Sequence, residues 1–246
     1  MYFRPDARAV DELRPISIEI NYLSSCPGSI LYRQGGTWIL ATTTWEMGVP
    51  RWMEAAGEGW VTAEYALIPA ATRPRKPREQ VGKQSGRSLE IQRLIGRSLR
   101  AVVDLSAIPG RTIYADCEVL QADGDTRTAS INAAYLSLVL TISGLMREEA
   151  LKRNPLKEPL GAVSVGLMQD RAILDMSHKE DSMAQVDMNL VMTGSGKWVE
   201  IQGTGEGTAF EDAHLQELLR IGRRGILEII EKNRAALREK VSNLVV

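Results

Sequence analysis

Two short segments of this 246-residue chain carry residues suited to holding an anion. In GDTRTA, residues 124–129, a threonine and an arginine stand where the apolar pattern opens a long helix. The free N–H groups at a helix start point outward with the positive end of its dipole. A guanidinium beside them adds a two-pronged donor, so Thr126 and Arg127 have the chemistry of a phosphate site. Arg87 stands immediately before the other predicted helix and could close the same pocket from the opposite side. A plain helix cap beside a surface arginine accounts for the same letters.

The surrounding charge points the same way. Between Arg73 and Arg100 lie seven Arg and two Lys against two Glu, in a chain whose net charge is −1. A nearly neutral protein that gathers its positive charge in one segment suits a polyanion there. Arg73, Arg75, Lys76 and Arg78 fall on a loop with three prolines, residues 69–86, either reaching for phosphates or simply keeping the loop soluble. Arg93, Arg97 and Arg100 share a helix face, either for nucleic acid or solvated beside Glu90 and Asp104.

The carboxylates come late. SHKEDSMAQVDMN places Glu180, Asp181 and Asp187 near one another, with Asp187 and Asn189 on one face of a strand. Two aspartates beside an anion pocket are the usual oxygen ligands of Mg²⁺ (or Mn²⁺). Equally, Asp181 would cap a loop and Asp187 would begin a strand in solvent. His178 and His214 are isolated, and no GxSxG, GxxxxGK[ST] or HExxH string occurs. Cys26 and Cys117 lie far apart without zinc-ligand spacing, as expected of two buried, reduced thiols.

Elements that could position these residues are legible as periodicity. Strands are predicted from Ile16, Gly28 and Thr37 and over 60–67, then a helix over 88–104 with Ile91, Leu94, Ile95, Leu99 and Val102 as its apolar stripe. The second half repeats the order: a strand from Thr112, a helix over 126–146 covered all round, and a meander beginning at Ala162, Ala172, Val186 and Trp198. GSGK supplies a hairpin turn, and a last helix runs from near Glu211 towards Lys240. Strands then helix, twice, read as α+β layers in a single domain, 1–246. Hydrophobic content of 44% and charged content of 25% allow a sizeable core. The charged N-terminus predicts no signal peptide, and the Ser, Asn and Thr within 129–146 argue against a membrane span, so a cytoplasmic protein is expected.

Taken together, RPDARAVDELRP, GVPRW, GWVTAEY, ATRPR, GRSLEIQRLIGRSLRA, RTI, DCEVLQADGDTRTA and VDMNLVMTGSGKWVEIQGT resemble the ribonuclease PH family, relatives of polynucleotide phosphorylase and the exosome ring. The strings run in order over nearly the whole chain. The resemblance implies the two-layer ribonuclease PH-type fold (ribosomal protein S5 domain 2-like) and a homohexamer built as a trimer of dimers. It implies a phosphorolytic nucleotidyltransferase, in which inorganic phosphate attacks the 3′ end of RNA, tRNA precursors above all, and releases nucleoside diphosphates. Carried over by position, Arg87, Asp125, Thr126 and Arg127 hold phosphate. Asp181 and Asp187 become the metal and acid–base carboxylates, and Arg73, Arg75 and Arg78 grip RNA. A catalytically inactive, RNA-binding ring subunit is the alternative.

Three letters depart from the family pattern: Asp125 and Ala7 replace glycines, and Ser177 replaces an aspartate. At Asp125 the expectation is a carboxylate that caps the helix N–H groups and competes with phosphate, so that Asp125→Gly would lower the phosphate requirement.

Overall fold

Period-two burial builds the first layer. In the computed structural model, which describes residues 3–241 apart from 27, 81, 208 and 239, five strands form one sheet. These are β1 (Ile16–Ile20), β2 (Ile30–Gln34), β3 (Thr37–Met47), β4 (Trp60–Leu67) and β5 (Arg111–Gln121), in the order β1-β2-β3-β5-β4. Ile39, Ala41, Val61, Ala63, Ile113 and Ala115 point to the buried face, and their neighbours point away from it. Helices α1 (Gly86–Ala101) and α2 (Thr126–Arg147) cover that face. The stripe predicted for α1 is buried at all five positions.

Two expectations about topology need correction. The strand from Thr112 was grouped with the second half of the chain. It is β5, in the first sheet, antiparallel to β3 and parallel to β4. A parallel pair needs a long crossover, which α1 provides, and strand periodicity carries no information on pairing. The later strands also do not form a sequential meander. β6 (Leu160–Met168), β7 (Arg171–Leu174), β8 (Val186–Thr193) and β9 (Trp198–Gly205) take the order β7-β6-β8-β9. β7 folds back along one edge of β6. The chain then passes through a short helix, α3 (His178–Asp181), and pairs β8 with the other edge.

All nine residues of β6 are buried because both its faces are covered. Asn132 of α2 donates to the Ala162 carbonyl and accepts from its N–H, each at 2.9 Å. On the other side packs α4 (Asp212–Leu237), whose Ile226 and Ile230 lie so close to Gly161 that a Cβ there would sit 2.9 Å from each. α2 is long and apolar enough to cross a membrane, yet 89% of its most apolar window is inside the protein. Some of its buried polar groups are spent on neighbours: besides Asn132, Thr141 donates to the Thr43 carbonyl at 2.9 Å, whereas Ser130 Oγ and the Tyr135 hydroxyl have no partner among the described residues. Cys26 and Cys117 are free and buried.

Candidate active site

The site forms where the turn opening α2 meets the loop entering α3. Gly124 has φ +79°, and a Cβ there would lie 2.7 Å from backbone atoms of Met176, Ser177 and His178. Only glycine permits that approach, which sets the start of α2 against α3. β8 enters the same space at Asp187, α1 contributes its first turn, and the loop after β4 folds over the top. The resulting cleft, about 220 Å³, is lined by Arg73, Lys76, Arg87, Thr126, Arg127, Asp181 and Asp187. Five residues predicted as phosphate or carboxylate groups, Arg87, Thr126, Arg127, Asp181 and Asp187, therefore do converge, from four different elements. Asn189, read as sharing a strand face with Asp187, lines the cleft too, as do Ser164 and His178, to which the sequence assigned no role.

Donors are free at the anion end. No side chain caps α2 among the described residues, so the first-turn N–H groups are open. Arg127 donates from Nη2 to Glu90 Oε2 at 2.9 Å, while its Nε is buried with no partner among the described residues. Glu90 is braced in turn by Gln202 Nε2 at 3.2 Å. The Tyr65 hydroxyl donates to Thr126 Oγ1 at 2.9 Å, which leaves the threonine proton available to a ligand. Arg87 is the second residue of α1 rather than the one before it, because Ser85 is the cap and accepts from the Ser88 N–H at 3.2 Å.

At the acid end, burial and the neighbouring Asp181 charge push the Asp187 pKa up to about 6, against the pull of Arg127 and Arg87. Two carboxylates that repel one another beside bound phosphate suit a hard divalent cation, with substrate oxygens and water completing its shell. Among the described residues no third His, Cys, Asp or Glu joins them. Glu180, grouped with them from sequence, is elsewhere: it is buried and bonded to Arg4 at 2.7 and 2.9 Å.

Comparison with known proteins gives the family. Family models match twice: "3′ exoribonuclease family, domain 1" over residues 12–142 and "domain 2" over 158–225. The chain belongs to the 3′ exoribonuclease family. A ribonuclease PH from Rhodopirellula baltica is 50% identical over 236 residues, covering 94% of this chain and 96% of the relative. One from Bacillus cytotoxicus is 50% identical over 243 residues, 98% and 99% of the two chains. Among solved structures, rice Rrp46 superposes with a TM-score of 0.79 at 21% identity, covering 96% of this chain and 100% of that one. The Archaeoglobus fulgidus exosome with RNA bound to the active site gives 0.80 at 24%, covering 94% and 92%. These two share the fold.

Within the 3′ exoribonuclease family the departures at residues 7 and 125 acquire a shared physical meaning. Ala7 has φ +63° and Asp125 φ +56°, so both occupy the left-handed region where glycine is unstrained. Asp125 was expected to cap α2 and to line the phosphate site with its carboxylate. Instead the side chain is fully buried, accepts from Thr128 Oγ1, and lies 3.8 Å from Arg14 Nη2, so only its backbone faces the cleft. The reason is a buried cation, Arg14, whose sequence position 111 residues away gave no hint of contact. The predicted competition with phosphate, and the lower phosphate requirement of Asp125→Gly, lose their basis. Ser177, at the third departure, helps start α3: its N–H and hydroxyl both donate to Glu180, at 2.9 and 3.0 Å.

The outer arginines lie away from this cleft. Arg97 is paired with Glu200 of β9 at 2.9 Å, and Arg93 is exposed on α1; neither lines the cleft. Arg75 is exposed on the loop, outside the lining. Arg78 lines a separate hollow with Glu64, Asp116 and Glu118, and its charge is felt at the Glu118 carboxyl. Glu90 was expected only to partner arginines on its own helix, whereas it pairs with Arg127 of α2; Arg14 and Asp175 were given no role, since two buried ions 161 residues apart leave no local pattern.

Proposed function

We propose that this chain shortens RNA from its 3′ end by phosphorolysis: inorganic phosphate attacks the last phosphodiester and releases a nucleoside diphosphate, reversibly. One observation carries the reading. The uncapped start of α2 and the side chains of Arg87 and Arg127 line the same cleft as the Asp181–Asp187 pair. Phosphorolysis must bring two anions together, and Arg87, Arg127 and the helix N–H groups offset their repulsion. In-line attack then depends on positioning more than on covalent help. Asp187, its carboxyl pushed up to about 6 by burial and the Asp181 charge, would deliver a proton to the departing 3′ oxygen. Asp181 and Asp187 would hold Mg²⁺ or Mn²⁺, which supplies charge to the developing transition state. The inactive-subunit reading drew on Asp125, and a carboxylate turned away from the cleft no longer supports it.

The test is product identity. Purified protein, Mg²⁺ and an RNA with a single-stranded 3′ end should yield nucleoside diphosphates only when phosphate is added. Nucleoside monophosphates, or no release, would refute phosphorolysis.

The finer proposals are tRNA precursors as substrate, a cytoplasmic location and a homohexamer formed as three dimers. The ring is supported by large apolar groups left in solvent, Trp52 at 65% and Met47 at 70% exposure. Light scattering should give about six chains' mass at micromolar concentration; a value near 27.2 kDa would exclude it. Residues 1–246 are read as one unit because a single apolar cluster joins Ile30 and Val119 of the first sheet to Leu138 and to Leu160 and Val191 of the second. For RNA contact the loop remains the candidate, with Arg73 and Lys76 over the cleft. Replacing both by Ala should weaken RNA and flatten the log–log salt dependence by about one to two units. An unchanged slope would remove the loop from RNA binding.

A further inference from the structure

Beneath the turn that opens α2 lies a closed cluster of one arginine and two aspartates. The Asp175 carboxylate accepts from Arg14 Nε at 2.9 Å, from its Nη2 at 2.6 Å and from its backbone N–H at 2.6 Å. Arg14 Nη1 donates to the Asp123 carbonyl at 2.6 Å, and Thr37 Oγ1 to the Gly124 carbonyl at 2.6 Å. Asp125 completes the set: Oδ1 accepts from Thr128 Oγ1, and Oδ2 accepts from the Ser164 N–H at 3.4 Å. The three side chains are 3% exposed or less. Each residue of the turn, 123 to 125, is thus tied to groups outside the turn.

We propose that Asp125 is a positioning residue for phosphate capture, tying the left-handed turn to α2 through Thr128 and to β6 through the Ser164 amide while its carboxylate stays out of the cleft. The proposal rests on the phosphorolytic reading of the cleft. Glycine would satisfy the φ of +56° without strain but could tie nothing. The tie matters because the N–H groups just after the turn are the ones left open towards the anion. An anchor that fixes their direction acts on phosphate affinity more than on the chemical step.

Charge makes the arrangement workable. One guanidinium serves two carboxylates, and Asp175 takes the direct bonds. Burial works against Asp175, but Arg14 outweighs it and holds that carboxyl below the usual range. Asp125 is left with burial and the Asp175 charge, which push it up to about 8, so it carries a proton near neutrality and adds no negative charge under the phosphate. The other groups facing the cluster are Asp123 in the same turn, Tyr32 of β2, and Arg8, 3.7 Å from Asp175. Tyr32 stays neutral, its hydroxyl pushed far up by burial and the two aspartates. Losing the Asp125 proton in alkali therefore places a second carboxylate charge on the one Arg14 guanidinium, directly behind the site.

The experiment measures phosphate KM and kcat separately for the parent, Asp125→Gly and Asp125→Asn, at about pH 7 and about pH 9, with folding checked by circular dichroism. Asp125→Gly should raise phosphate KM about fivefold and change kcat less than about twofold. Asp125→Asn, which keeps the shape and can accept from the Ser164 N–H with its oxygen and donate to Thr128 Oγ1 with its amide, should restore KM at pH 7 and lack the parent's severalfold rise at pH 9. Thr128→Val, removing the hydroxyl bonded to Asp125, should shift KM in the same direction as Asp125→Gly and serves if that variant fails to fold. Unchanged KM in both Asp125→Gly and Thr128→Val, with only thermal stability lowered, would overturn the positioning role. An alkaline rise that persists in Asp125→Asn would overturn its titration. Calorimetric titration with inorganic phosphate alone reads the same shifts as Kd. A parent that binds phosphate but releases no nucleoside diphosphate refutes phosphorolysis, while the Kd comparison still decides the role of Asp125. A parent that does not bind phosphate refutes both.

Discussion

Asp187→Asn should lower phosphorolysis by about a hundred- to ten-thousandfold while RNA affinity stays within about twofold of the parent. The amide keeps the size of the carboxyl but can neither hold a proton for the departing oxygen nor lend a full charge to a cation. RNA contacts are spared because Arg73 and Lys76 over the cleft are untouched. Stability provides an internal control. Burial and Asp181 raise the Asp187 pKa to about 6, so this group favours the fold at low pH. That contribution is lost as pH rises from the ordinary carboxylate range through 6, and is constant beyond. The Asn variant lacks this loss, so its melting temperature should match or exceed the parent's above pH 6. A variant that loses RNA binding together with turnover, at unchanged stability, would make Asp187 a recognition residue instead.

The second large effect is expected at Arg127. Arg127→Ala should reduce kcat/KM for phosphate by about a hundred- to a thousandfold, as removal of a preorganised donor to a charged transition state does. Arg127→Lys should recover only part of that, since an ammonium restores the charge but not the fork or the Nε donor. The structural cost should be small. The Glu90 carboxylate left behind is 36% exposed, and a pair of that kind contributes about 0–1 kcal/mol after solvent screening. A loss of RNA affinity with phosphate kinetics preserved would show that Arg127 faces the RNA backbone rather than the attacking anion. Glu90→Gln gives a graded companion, because it weakens the brace without touching the donor.

The elements were readable where periodicity was strong. β4 occupies 60–67 as predicted, β3 begins at Thr37, and α2 begins at Thr126, because alternation and an apolar run are set by local backbone geometry. The start of α1 was misplaced by two residues, since Ser85 rather than the residue nearest the apolar stripe provides the cap. The placement of β5 in the first sheet and of β7 on the far edge of β6 was not readable at all. Hydrogen-bond partners across a sheet are chosen by the packing of whole faces, and no window of sequence contains both sides.

The same division runs through the site. By itself the sequence determined which residue types were available: Arg87, Thr126, Arg127, Asp181 and Asp187, in strings specific enough to name a family. It also marked the start of α2 as anion-seeking, because free N–H groups at a helix start follow from the helix alone. Only the tertiary structure decided which way the side chains point. Asp125 turns inward because Arg14, Thr128 and Ser164 draw its carboxylate away from the cleft. Arg97 is occupied because Glu200 reaches it from β9. Orientation of a charged side chain depends on where its counter-charge lies, and here the counter-charges come from segments that the chain brings together only by folding.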